Sequence, residues 1–292
     1  MAVLSQWLIQ DIVSLYIIVT LFALLVGSFL NVVIYRLPVM LKREWQQDCA
    51  HLNNTELNDS PATQQTFNVC TPRSRCSHCQ HQLGALDNIP LVSWLMLRGR
   101  CRYCKAAVSK RYPLVELSTA MLSALAVWRF GASPELLAAL LFTWMLICMT
   151  MIDVDHLLLP DNLTLSLLWI GLLININGLF IPLADAVIGG AIGYGVLWSL
   201  YWAFKLATGK EGMGYGDFKL LAALGAWFGW QAILPILLLS SVIGSVIGLS
   251  LMASKRLSSE RVLPFGPALA IAGWVYLMWG ETLINWYWSV AL

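Results

Sequence analysis

Two acids and four thiols carry the reactive chemistry of this sequence. Asp217 follows a glycine-rich stretch, Gly212-Met213-Gly214-Tyr215-Gly216, and opens an apolar run. Asp153 closes an earlier apolar run that ends Met149-Thr150-Met151-Ile152-Asp153. A carboxylate at the edge of an apolar span is costly to keep without a use. Two of them, on separate helices at one depth, can divide the hydrolysis of a peptide bond. One takes a proton from water while the other, protonated, donates to the scissile carbonyl. The competing reading is a pair of helix-end aspartates that face lipid headgroups. Gly214 and Gly216 let the backbone come close to another chain, and Lys219 places a cation beside Asp217. These three residues are therefore expected to shape the protease site. Asp155 and His156 read as solvated, and Asp161 or Asn162 as the N-cap of the span after Pro160.

The thiols are Cys76-Ser77-His78-Cys79 and Cys101-Arg102-Tyr103-Cys104, two pairs separated by 21 residues. Two knuckles at this spacing match a tetrahedral four-cysteine zinc ribbon. Two disulfides are the alternative, which a cytoplasmic location disfavours because thiols stay reduced there. Four thiolates leave no open coordination position, so the expected Zn2+, one per chain, is structural. His78 and His81 read as groups near the metal or on the surface. Cys49, Cys70 and Cys148 read as inert.

The elements that must hold these groups are mostly membrane spans. Of 292 residues, 59% are hydrophobic and only 12% charged, against about 25% charged in soluble domains. This composition excludes an ordinary soluble enzyme. Apolar runs fall at 12–35, 114–130, 136–152, 163–182, 185–205, 218–232, 233–252 and 265–288. The expected fold is an all-α polytopic membrane protein of about eight transmembrane helices, with a small zinc-ribbon domain between the first and second. The sixth run is short, so seven spans and a re-entrant piece is the other count. The first run has no basic segment before it and reads as a span rather than a cleaved signal.

Basic residues set the expected orientation. Of 18 Lys and Arg, 11 lie from Arg36 to Arg111, three (Lys205, Lys210, Lys219) surround the glycine loop, and Lys255, Arg256 and Arg261 occupy the last long connection. Positive charge stays inside. The ribbon and the glycine loop are then cytoplasmic, and both termini lie across the membrane. The domains read as 1–36, a first transmembrane helix; 37–113, a cytoplasmic zinc-binding domain; and 114–292, a membrane core with the two aspartates. Within the second of these, 42–74 is polar and reads as a loose insertion.

Longer motifs add a resemblance. Met213-Gly214-Tyr215-Gly216-Asp217, the Asp153 to Asp161 segment and the paired cysteines resemble the bacterial type IV prepilin peptidases. So do Gly27-Ser28-Phe29-Leu30-Asn31 through Pro38, Asn88-Ile89-Pro90 to Cys101, and Tyr112-Pro113-Leu114-Val115-Glu116. The similarity spans nearly the whole chain and is weakest over 39–70. It implies a bifunctional enzyme of the bacterial inner membrane. One activity cleaves prepilin or pseudopilin leaders at the cytoplasmic face with Asp153 and Asp217. The other methylates the new N-terminal residue with S-adenosylmethionine. Gly99, Arg100 and the four cysteines are the positions the resemblance ties to methyl transfer, with Glu116 and Asn31 as further candidates. Implied partners are the prepilins and membrane lipid, and no nucleic acid. The residues alone also allow a transporter, which can use glycine loops and paired acids, or a secretion scaffold that docks through its ribbon.

Overall fold

The computed structural model describes residues 12–52, 67–253 and 263–291. The basic residues of the 254–262 connection and the centre of the polar insertion lie outside the described residues. All the regular elements among those described are helical. The chain divides into two compact units at Val127 and Trp128.

In the first unit, α1 runs from Ile12 to Leu52. It continues 16 residues past the expected boundary at 36. The reason is composition: Lys42-Arg43-Glu44-Trp45-Gln46-Gln47 is made largely of good helix formers on an exposed surface. Part of the expected insertion is therefore helix. At 1.5 Å per residue α1 is about 60 Å long, roughly twice a bilayer's hydrocarbon thickness. Arg36 is buried, and its guanidinium donates to the carbonyls of Asn68, Val69 and Pro72. These bonds tie the chain leading into the cysteine region to α1. A short helix, α2, spans Val92–Met96, and α3 spans Arg111–Phe130. α1 meets α3 at Gly27, where a Cβ would stand 2.8 Å from the Glu116 Cα. Only glycine permits that approach.

The second unit contains α4 (Pro134–His156), α5 (Asp161–Ile174), α6 (Leu183–Thr208), α7 (Tyr215–Phe228), α8 (Ile233–Ala253) and α9 (Gly266–Ala291). α7 is its axis. Asp217, Phe218 and every residue from Leu220 to Phe228 are buried, the pattern of a helix enclosed on all sides. α5, α6 and α9 pack around it. Gly189 of α6 and Gly225 of α7 bring two backbones together, since a Cβ on Gly189 would lie 2.3 Å from the Gly225 oxygen. On the α5 side, the indole of Trp227 donates to Leu167 O at 2.8 Å and fills the space above Gly171. At the far end of α7, buried Asn175 donates to the carbonyls of Ala226 and Trp227 and accepts from the amides of Phe180 and Ile181. All the hydrogen-bonding capacity of that amide is spent on closing the helix end.

Each of the eight apolar runs forms a helix. Among the described residues, four helices are long and apolar enough to cross a membrane: Ile12–Leu52, Pro134–His156, Leu183–Thr208 and Trp230–Ala253. α5 and α7, at 14 residues each, extend only about 21 Å.

Candidate active site and metal centre

Asp217 occupies the third position of α7, whose N-cap is Gly214. Its backbone amide donates to Gly214 O at 3.2 Å. Asp153 lies near the end of α4. The helix stops four residues later at Leu157, which takes a left-handed conformation and returns its amide to Asp153 O at 2.9 Å. The Asp153 carboxylate lies against Gly266, the first residue of α9. One helix C-terminus and two helix N-termini thus meet around two acids.

Both acids are buried, 5% exposed for Asp153 and 8% for Asp217. They also share a wall. Leu159 packs on Gly216, the residue before Asp217, and on Gly266, the residue against the Asp153 carboxylate. Asp155 and His156, which follow Asp153, are exposed.

Lys219 departs from expectation. Its Nζ donates to Asp161 Oδ1, a partner 58 residues away in sequence, instead of serving Asp217. Asp161 is in turn the first residue of α5, with Pro160 at the N-cap. This pair is partly exposed and ties the start of α5 to α7. Gly214 and Gly216 sit where the sequence places them, at the turn into Asp217. Gly266 was not legible. Its signal was Gly266-Pro267 opening the last apolar run, a proline at a helix start, which gives no hint of a partner 113 residues earlier. A Cβ on Gly266 would lie 2.5 Å from Asp153 Oδ2. Gly266→Ala should therefore displace that carboxylate and lower kcat for any peptide-bond cleavage by the two acids by about a hundredfold, the scale of a misplacement near 1 Å. The melting temperature should move little. Unchanged cleavage by the variant would show that Gly266 does not set the acid's position.

The cysteines assemble within the first unit. The sulfurs of Cys76, Cys79, Cys101 and Cys104 all lie within 4.8 Å of one another, and Cys76 and Cys104 are 3.9 Å apart. A tetrahedron of 2.3 Å Zn–S bonds has edges of about 3.8 Å, so the cluster fits such an ion. The two knuckles are built alike. Cys76 N bonds His81 O and Gln80 N bonds Cys76 O; Cys101 N bonds Ala106 O and Lys105 N bonds Cys101 O. Gln80 and Lys105, at the same place in each, have φ of 57° and 59°. His81 lies against Tyr103 across the knuckles, with ring centroids 3.6 Å apart. Arg102 pairs with Asp87 at 2.7 Å. Burial works against the Asp87 charge, but Arg102 and the Gly84 amide outweigh it and hold the carboxyl below its ordinary range.

The candidate methyl-transfer residues form one connected group in this unit. Gly99 has φ of +68°, and a Cβ there would meet the Trp94 ring at 2.9 Å; its amide bonds Trp94 O and its oxygen accepts from Val108 N. Arg100 follows it, exposed, beside Cys101. Glu116 is buried on α3, accepting the amide of Leu91 at 2.8 Å. Leu91 is the N-cap of α2, so Glu116 reaches the start of the helix that carries Trp94, the ring against Gly99. Asn31 donates to Gly27 O and Tyr112 O, which joins α1 to the start of α3.

With this geometry in hand, similarity to known proteins decides the family. Residues 140–249 match the type IV leader peptidase family, and residues 21–130 match the bacterial peptidase A24 N-terminal domain. A protein of Aeromonas hydrophila named prepilin leader peptidase/N-methyltransferase is 57% identical over 270 residues, 92% of each chain. Proteins of the same name from Stutzerimonas stutzeri and Aeromonas salmonicida are 58% identical over 260 residues, 89% of each chain, and 56% over 275, 94% of each chain. This chain belongs to the type IV leader peptidase family. No solved structure matches it. Asp153 and Asp217 both fall inside the leader peptidase match, and the four cysteines inside the N-terminal match. Gly266 lies beyond both.

Proposed function

We propose that this protein is a bifunctional inner-membrane enzyme that removes the leader of type IV prepilins or pseudopilins and methylates the N-terminus so exposed. The observation that carries the reading is the burial of Asp153 and Asp217 together, at the meeting of three helix ends, in a chain of this family. One carboxylate accepts a proton as water attacks the scissile carbonyl. The other, protonated, donates to the carbonyl oxygen, and the tetrahedral intermediate collapses with a proton passing to the departing amine. Gly214 caps the helix that carries Asp217, and Gly266 packs on the Asp153 carboxylate.

The zinc ribbon, with Cys76, Cys79, Cys101 and Cys104 as ligands, is structural and orders residues 75–107. S-adenosylmethionine supplies the methyl group. The amine left by cleavage is its acceptor, and Gly99, Arg100 and Glu116 border the site of transfer. Eight crossings, with the aspartates and the ribbon at the cytoplasmic face and both termini periplasmic, reconcile eight helices with the placement of Lys and Arg. α7, enclosed by protein, can be short because it need not span lipid. Transporter and scaffold readings have no comparable support.

The test is mass spectrometry of a pilin incubated with the purified protein and S-adenosylmethionine. The expected product has lost its leader and carries one added methyl on its N-terminus. An intact leader refutes the peptidase assignment, and a cleaved but unmethylated pilin refutes the second activity.

A further inference from the structure

The first unit carries an apolar face that its own core does not cover. Val92, Leu95 and Met96 share one side of α2 at helical spacing, and they are 48%, 65% and 79% exposed. Leu86 and Ile89, in the turn before α2, are exposed as well. The same helix is held deep. Residues 12–35 of α1 contain no charged side chain, and Arg36 is the first after them. A Cβ on Gly27 would stand 2.8 Å from the Glu116 Cα, so Glu116 lies level with Gly27. Gly27 is nine residues before Arg36, about 13 Å along the helix, farther than a glutamate side chain can reach. Glu116 nonetheless accepts the Leu91 amide at 2.8 Å. The start of α2 therefore lies beside the apolar length of α1, on the membrane side of Arg36.

We infer that α2 lies in the headgroup layer of the leaflet that Arg36 adjoins, with Val92, Leu95 and Met96 against lipid and the cations that follow α2 on anionic phospholipid headgroups. The inference rests on α1 as a membrane span and on neither proposed activity of the chain. Charge and depth together select lipid as the occupant. Residues 73–111 hold eight Lys and Arg against one acid, Asp87, and Arg102 already pairs with that acid. Arg98 and Arg100 leave α2 directly and are exposed. A short apolar face bordered by Lys and Arg binds the membrane surface through its buried apolar area and through attraction to anionic lipid. A partner from the aqueous phase would meet the cations but not a face at the depth of Gly27. Gly99 and Arg100 come within four residues of α2, so this anchor also fixes their height at the membrane surface.

The test places a diazirine analogue of methionine at position 96, and separately at 95, in the full chain held in nanodiscs of phosphatidylcholine and phosphatidylglycerol. Mass spectrometry identifies the adducts formed on illumination. The same analogue at position 47, on the exposed polar end of α1 beyond Arg36, is the control. Phospholipid adducts at 95 and 96 should exceed those at 47 by at least about tenfold. Phosphatidylglycerol should be captured at least about twofold above its share of the lipid, and Arg98→Gln with Arg100→Gln should abolish that preference. The unmodified protein supplies a reading that no probe disturbs. Its amide exchange across 91–97 should slow by at least about threefold when phosphatidylglycerol is added to discs of phosphatidylcholine alone. Adducts to residues 128–292 or to a second copy of the chain would assign the face to protein and overturn the inference. Lipid adducts no more abundant than at 47 would overturn it too, as would a lipid preference unmoved by the double variant or exchange indifferent to lipid charge.

Discussion

Asp153→Asn and Asp217→Asn should each lower leader cleavage by at least about a thousandfold, within the range general acid–base groups contribute. Asparagine keeps the shape and removes the titration. It fills the same volume against the same neighbours, so the packing at both positions should persist and the melting temperature should stay near wild type. The two acids act as a unit, so Asp153→Asn with Asp217→Asn should be no slower than either alone. Methyl transfer to a pilin already freed of its leader should continue, because the residues proposed for it lie in the other unit. Single-turnover assays on a prepilin and on a pre-cleaved pilin separate these outcomes. Substantial cleavage by either variant would remove the dyad and return the transporter and scaffold readings to consideration.

Cys101→Ser should have the second large effect, on the other activity. Cys101 is 5% exposed and its backbone closes one knuckle, so the variant removes a ligand at the centre of the cluster. Structural zinc contributes on the order of 10–16 kcal/mol to such small modules. The stretch between the knuckles has little else: among its described side chains, Leu86, Val92, Leu95 and Met96 are exposed and no residue of α2 is buried. The expected result is loss of the one equivalent of zinc measured by elemental analysis. Amide exchange should become fast across 75–107, and methylation should fall at least tenfold. Cleavage by the second unit should remain. Strong chelation of the wild-type protein should reproduce all three effects. A metal-free protein that still methylates at the wild-type rate would show that the cluster does not support that reaction.

Much of this was legible because it is local. The knuckles are encoded by a two-residue spacing, repeated with the same hydrogen bonds and the same positive φ at Gln80 and Lys105. Asp217 was legible because a glycine-rich turn into an apolar run has few other uses. Asp153 could be preferred to Asp155 because only Asp153 adjoins the apolar run, and the structure buries it while leaving Asp155 exposed. Helix ends were less clear. α1 runs on to Leu52 because residues past Arg36 favour helix even though they are polar, and hydropathy reads only where lipid ends.

Composition and spacing by themselves determined a helical membrane protein, a cluster of four thiols and two acids at the ends of apolar runs. The tertiary structure decided how those pieces meet: Gly266 against Asp153, Leu159 between two glycines, Lys219 on Asp161, and Asn175 closing α7. The reason is physical. A turn, a cap or a knuckle is set by neighbours a few bonds apart, whose types can be read in order. A contact across 58 or 113 residues depends on how whole helices pack, and in an apolar chain many packings share the same pattern of residue types.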